Sequence, residues 1–272
     1  MKDIITLVAT DLDGTFLTKD KKVTKENLEA ISRLHEKGIL FGIASGRPIE
    51  TVRTMTRDWG IYPYVSFIMG MNGGVLYDFT QRIKEDYHMM DGEAALDIMH
   101  HFKDLDVQFQ VLIGETRFVS RSTWDTLQSA RMLGEYEVIV DMEKFLLDRS
   151  VNKLVIWCNP EYMPKVIERS QSLHREDCVG FNTAAEFFEY VDPAINKGYG
   201  LNKVCKHFGV LPEHCMVFGD EANDIAMLKL AGHSVAMKNA IPQAKEVAKY
   251  ISDYTNEESG VGRFIKEHIL DD

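Results

Sequence analysis

The sequence predicts an α/β protein built on a parallel sheet and interrupted by an α+β insertion. Two observations carry this. Near both ends of the chain, short β-branched apolar runs alternate with amphipathic segments of helical period, as helices covering both faces of a parallel sheet require. Between them lies a stretch in which strands and helices mix without that alternation. The 272 residues exceed what one core usually needs. The expected division is a core from residues 1–82 and 191–272 and an inserted unit over 83–190.

The first run, Ile4-Ile5-Thr6-Leu7-Val8-Ala9-Thr10, reads as a buried strand. Thr24 can cap a helix that presents Leu28, Ile31 and Leu34, with Gly38 where a C-terminal cap belongs. Leu40–Ala44 is a second buried strand, and Pro48 suits the first turn of the helix carrying Ile49, Val52 and Met55. Val65–Met69 and Val75–Tyr77 are further strands about a tight turn at Asn72-Gly73-Gly74. In the middle, helices are expected over Glu93–Phe102 and Met163–His174. Strands are expected at Val107–Ile113, Arg117–Ser120, Lys153–Cys158 and Phe187–Val191. The alternation returns with strands at Cys215–Phe218 and Ser234–Met237, a helix over Asp224–Ala231 and a short one after Pro242.

Net charge is −11, with 31 basic against 42 acidic residues. An acidic chain gains little from a phosphate backbone, so no nucleic-acid partner is expected. The densest basic run, Lys19–Lys25, reads as a solvated loop. No apolar run approaches the ~20 residues of a membrane span, and no N-terminal leader is visible. The four cysteines show no metal or redox spacing and read as buried thiols of a cytoplasmic protein.

Four polar clusters follow strands or open helices: Asp11-Leu12-Asp13-Gly14-Thr15, Ser45-Gly46-Arg47, Lys197-Gly198 and Gly219-Asp220-Glu221-Ala222-Asn223-Asp224. In an open α/β sheet, ligands collect at the carboxyl ends of strands. Two carboxylates leaving one strand end two residues apart repel unless a cation or shared proton relieves them. They point to a metal-assisted site in which one attacks and the other handles protons. The set suits transfer of a doubly anionic phosphoryl group, which needs charge neutralisation and in-line positioning. Asp11 is the candidate nucleophile, since carboxylates form aspartyl phosphates. Asp220 and Asp224, with Asp11, offer the hard oxygens Mg²⁺ takes. Ser45 and Asn223 can donate to phosphate, and Lys197 brings positive charge. Arg47 can equally form a salt bridge and stands outside this set. Asn72-Gly73-Gly74 reads as a turn rather than a phosphate cradle.

Asp-x-Asp-Gly-Thr at 11–15, Ser-Gly-Arg at 45–47, Asn-Lys-Gly at 196–198 and Gly-Asp-x-x-Asn-Asp-x-x-Met at 219–227 stand in this order along the whole chain. In these motifs the chain resembles the haloacid dehalogenase superfamily, specifically its Cof-type, sugar-phosphatase-like branch with a large α/β cap. The resemblance implies a Rossmann-like core and a mobile cap between the second and third motifs that closes over the site. It implies Asp11 as nucleophile and metal ligand, and Asp13 as general acid and base with its backbone carbonyl on the metal. Asp220 would be the other protein ligand to Mg²⁺, with Asp224 supporting it. Ser45, the Gly46 backbone, Lys197, Asn223 and the Leu12 amide would hold phosphate. Asp13 separates phosphatases from branches that cleave carbon–halogen or carbon–phosphorus bonds. It must be protonated when substrate binds, a state that neighbouring negative charge would favour. The chain departs from the family at Lys238, where glycine is usual and a positive φ would strain lysine.

The expected activity is Mg²⁺-dependent hydrolysis of small phosphorylated metabolites, sugar phosphates foremost, by a monomer or small homo-oligomer. Pyridoxal phosphate and flavin mononucleotide remain open as substrates. A phosphomutase or other phosphotransferase, and a phosphometabolite-binding regulator with little turnover, are the alternatives.

Overall fold

The computed structural model describes residues 4–270. The chain forms two compact units, one from its two ends (through Glu85 and from Asn196) and one spanning Asp86–Ile195. These cuts fall three and five residues beyond the expected ones, at 82/83 and 190/191. Strand Ile83–Asp86 extends the first unit's sheet, and Val191 still pairs inside the second.

In the first unit, β1 (Leu7–Thr10) is wholly buried. Ile4 is 70% exposed, so the buried part of the apolar run is shorter than its composition suggests. Helix α1 (Lys25–Glu36) starts where Thr24 Oγ1 accepts from the Asn27 amide at 3.2 Å. It buries Ala30, Ile31 and Leu34, and Gly38 follows it at φ +71°. Then come β2 (Leu40–Ala44), α2 (Ile49–Asp58), β3 (Phe67–Gly70), β4 (Val75–Asp78) and β5 (Ile83–Asp86).

The second unit holds β6 (Met90–Asp91), α3 (Gly92–His101), β7 (Gln108–Ile113), β8 (Thr116–Val119), α4 (Trp124–Met132), β9 (Tyr136–Ile139), α5 (Met142–Leu146) and β10 (Ser150–Val151). It continues with β11 (Leu154–Trp157), α6 (Met163–Ser170), β12 (Val179–Ala184) and β13 (Phe187–Val191). Its six-stranded sheet runs β12-β13-β11-β7-β8-β9. Ile98 and Phe102 from the α3 region and Val166 of α6 pack with Val111, Ile156 and Phe188 in one apolar core. Six of these elements were not anticipated: the two-residue strands β6 and β10, and α4, β9, α5 and β12. β9 and β12 are edge strands with largely exposed faces, so no buried alternation marks them. Helix α4 buries only Thr126 and Ala130, and Trp124 is exposed. It is set by its Thr123–Thr126 capping box instead of an apolar stripe.

Within this unit Arg117 and Glu135 form a fully buried pair, with Nη2 and Nε both on Oε2 at 2.6 and 2.9 Å. Removing one partner strands a buried charge, so Glu135→Ala is expected to destabilise the unit by about 3–5 kcal/mol. Thermal unfolding checks it, and a Tm within about 2 °C of wild type would contradict it.

The chain returns through α7 (Lys197–Phe208), β14 (Cys215–Gly219), α8 (Ile225–Leu230), β15 (His233–Ala236), α9 (Pro242–Val247), β16 (Tyr250–Ile251) and α10 (Gly260–Ile265). The eight-stranded sheet runs β16-β15-β14-β1-β2-β3-β4-β5. It is parallel from β16 to β3, and β4 turns back antiparallel to β3. After β1 the chain builds outward on one side, and with β14 it resumes on the other. β1 and β14 therefore flank the switch point of a doubly wound sheet, where such folds bind ligands.

Lys238 does not take a positive φ, so the substitution there brings no backbone strain. All four cysteines are free and buried, with Cys205 and Cys215 Sγ 3.4 Å apart. Among the described residues no helix is long and apolar enough to cross a membrane.

Candidate active site

Asp11 follows β1 and Asp220 follows β14, so adjacent parallel strands deliver two carboxylates to the switch point. Gly14 bends the chain after β1 at φ +84°, and a Cβ there would lie 2.2 Å from Asp220 Oδ2. The turn thus needs glycine for conformation and for space. Thr15 Oγ1 then donates to Asp220 Oδ1 at 2.7 Å across 205 positions of sequence.

Asp11, Asp220 and Asp224 are all buried, and each offers an oxygen within 4.8 Å of the others. Lys197, at the start of α7, is wholly buried among them. Its Nζ donates at 2.6 Å to Asp11 Oδ1 and at 2.6 Å to Asp224 Oδ1. The other oxygen of Asp224 accepts the amides of Asp220 and Glu221 at 2.9 and 3.1 Å. Asp224 is thereby committed to holding its neighbours in place.

Burial pushes the Asp11 carboxyl up to about 8; Asp224 and Asp220 add to this, while Lys197 pulls against it. Burial likewise lifts Asp220 to about 6, against the Thr15 hydrogen bond. For Lys197, burial favours the neutral amine, but Asp11 and Asp224 outweigh it and keep the ammonium above its ordinary range. Three crowded carboxylates with one ammonium leave excess negative charge in a desolvated place. A hard divalent cation relieves that charge, so the donor set fits Mg²⁺.

Asp13 lies apart from this cluster and is 40% exposed at its side chain. Arg47 grips it with Nε at 3.2 Å from Oδ2 and Nη2 at 2.9 and 3.2 Å from the two oxygens. Lys21 Nζ reaches Oδ1 at 2.5 Å. Burial raises the Asp13 carboxyl, and Arg47 and Lys21 overcome it, holding the group below its ordinary value. The expectation that negative neighbours keep Asp13 protonated is therefore corrected: its immediate partners are cations. Lys21 comes from the basic run read as a solvated loop; it lies in a loop with its side chain 58% exposed, and it also reaches Asp13 from there. Arg47 forms the salt bridge that its exclusion from the site allowed for.

Ser45 is buried, and its Oγ accepts the Arg47 amide at 3.2 Å. Gly46 lies under the side chain of Asn72, whose Oδ1 would be 3.1 Å from a Cβ. Asn223 is exposed and donates Nδ2 to Asn72 Oδ1 at 3.1 Å. The Leu12 side chain is buried in the core, and its carbonyl accepts from Phe16 and Leu17. Sequence reasoning missed Thr15 as a partner of Asp220, Lys21 as a partner of Asp13, and Asn72. Only Thr15 had a signal, its place inside the first motif.

A doubly wound sheet with a buried carboxylate–lysine centre at its switch point puts a reactive polar cluster where such folds bind ligands. Over residues 8–265 the chain matches the model of the haloacid dehalogenase-like hydrolases. A Bacillus subtilis 5-amino-6-(5-phospho-D-ribitylamino)uracil phosphatase is 30% identical over 271 residues, 97% of each chain. The HMP-PP phosphatase of Cronobacter sakazakii is 27% identical over 240 residues, covering 87% of this chain and 85% of that one. The crystal structure of a haloacid dehalogenase-like hydrolase from Bacteroides thetaiotaomicron superposes with a TM-score of 0.86 at 26% identity, covering 97% and 99% of the two chains. The chain belongs to the haloacid dehalogenase-like hydrolases, in their Cof-type branch, and is an enzyme of a family whose relatives are named phosphatases.

Proposed function

We propose that this enzyme is a Mg²⁺-dependent phosphatase of small phosphate monoesters, with sugar phosphates the leading class. The observation that carries the reading is Asp11 buried at the switch point, 2.6 Å from Lys197 and clustered with Asp220 and Asp224. In the first step a carboxylate oxygen of Asp11 attacks phosphorus in line. The phosphorus–oxygen ester bond breaks, and Asp13 gives its proton to the departing alkoxide. In the second step Asp13 takes a proton from water as the water attacks the aspartyl phosphate, which frees inorganic phosphate and restores Asp11. Lys197 offsets charge on the transferring group, while Ser45, the Gly46 and Leu12 amides and Asn223 hold its oxygens. Asp11, Asp220 and the Asp13 carbonyl would hold Mg²⁺, with Asp224 supporting; the bound ion neutralises phosphoryl charge. Choice of leaving group is assigned to the inserted unit, as the resemblance implies.

Phosphate release from a panel of esters tests the reading, with Mg²⁺ and with chelator. The panel includes hexose phosphates, pyridoxal phosphate, flavin mononucleotide and the phosphoribitylaminouracil named for the Bacillus relative. Chelator-sensitive turnover supports it, and no release from any ester counts against it.

The grip of Arg47 on Asp13 has a consequence for pH dependence. A general acid must be protonated, so kcat/KM falls as pH rises through the Asp13 pKa. Arg47 holds that pKa down. Arg47→Met is expected to move this falling limb to higher pH. An unmoved limb would mean that another group controls it.

A further inference from the structure

The turn Met71-Asn72-Gly73 lies between β3 and β4, and all three residues have positive φ: 50°, 54° and +100°. Two consecutive non-glycine residues in this region are held there at a cost, and such strain persists where surrounding structure over-determines it. Here the Met71 amide donates to the Arg47 carbonyl at 3.1 Å, and the Asn72 amide to the Ser45 carbonyl at 3.0 Å. Gly73 is pressed against the start of α7: a Cβ would sit 2.4 Å from the Asn196 carbonyl oxygen and 3.0 Å from the Gly200 amide nitrogen. The Asn72 side chain lies over Gly46 and accepts from Asn223, 151 positions away. The segments bearing Ser45–Gly46, Lys197 and Asn223 therefore all meet this turn. Asn223 is exposed, so without Asn72 nothing described in the protein fixes its amide.

Resting on the phosphatase reading, we infer that Asn72 is a positioning residue of the phosphate site: its side-chain oxygen holds the Asn223 amide over the Ser45–Gly46 segment. A turn alone explains the backbone of Asn72 but not the side-chain bond, because glycine serves that φ at least as well. Asn223 arrives on a separate strand end. It can present its remaining N–H to an oxyanion only if its amide plane is set beforehand.

Asn72→Gly separates the two roles, since it relieves the backbone and deletes only the amide. The variant is expected to stay folded with a Tm within a few degrees of wild type, since relief of the positive φ offsets the added freedom of the unfolded chain. Its KM for p-nitrophenyl phosphate with Mg²⁺ should rise roughly tenfold, with kcat changed less than about threefold. Asn223→Ala should give a similar KM, and the double variant should be no worse than the weaker-binding single one, because both remove one coupled unit. A KM within about twofold of wild type in a folded Asn72→Gly, or additive losses in the double variant, overturns the inference. If wild type hydrolyses no ester, the phosphatase reading fails by itself. Asn72 is then judged by the affinity for inorganic phosphate with Mg²⁺, measured by calorimetry. Roughly tenfold weaker binding in Asn72→Gly supports its role, and unchanged binding overturns it.

Discussion

Asp11→Asn is expected to lower kcat/KM for any hydrolysed phosphate ester by at least about 10⁴-fold, because the amide cannot form the covalent intermediate. The same substitution is expected to leave the fold intact and, with chelator present, to raise Tm by a few degrees. The sign follows from the charges. Three buried carboxylates share one ammonium, and burial opposes ionisation of Asp11 strongly enough to lift it to about 8. Truncating one partner of a buried pair usually destabilises by leaving the other charge alone. Here Lys197 keeps Asp224 at 2.6 Å, so the variant removes repulsion and strands nothing. A gain near 1 kcal/mol corresponds to about 2–4 °C in a chain of this size. Opposite movement of activity and stability marks a group kept for chemistry at a cost to the fold. Residual turnover above about 1% of wild type would remove Asp11 from the nucleophile's role. A Tm several degrees lower would show that the Asp11–Lys197 attraction exceeds the carboxylate repulsion.

What the sequence revealed of this site depended on local pattern. Asp11 and Asp220 were legible because each follows an apolar run that can only be a buried strand, and strand ends are where a doubly wound sheet works. Lys197 carried no signal of its own and became a candidate through its order among the clusters. Contacts joining distant segments stayed hidden. Nothing about Thr15 says that its hydroxyl meets a residue 205 positions on, and nothing in Asn72 announces Asn223. The contact of Lys21 with Asp13 stayed hidden for a related reason. A lysine in a charged loop has no periodicity to show its direction, and φ +57° at Lys21 helps turn the chain that brings it to Asp13. In the inserted unit the central strands were legible from apolar composition. The edge strands were not, because one unpaired side and exposed faces relax the alternation on which such reading depends.

Lys197→Met tests the centre from the other side. Methionine keeps much of the lysine stem's volume and removes the ammonium that contacts both Asp11 and Asp224. The three carboxylates would then lie within 4.8 Å of one another with no cation between them. Stranding buried charge in this way costs about 3–5 kcal/mol, or a Tm lower by roughly 10 °C. The deficit should depend on pH with a definite sign. Asp11 and Asp220 already hold protons more tightly folded than unfolded, with values near 8 and 6, and losing Lys197 raises them further. Folding then takes up protons, so the variant's stability falls as pH rises through the unfolded carboxylate range towards those values and recovers as pH is lowered. Mg²⁺ should raise Tm more in the variant than in wild type, since it binds the folded centre and replaces the missing charge there. Activity should fall by about 10²–10³-fold even with Mg²⁺ saturating, because the ion does not occupy the ammonium's place beside the transferring group. A variant as stable as wild type at pH 8 in chelator would mean that the carboxylates do not depend on Lys197. The buried ion pair would then be incidental to the fold, and only the activity loss would speak for the lysine.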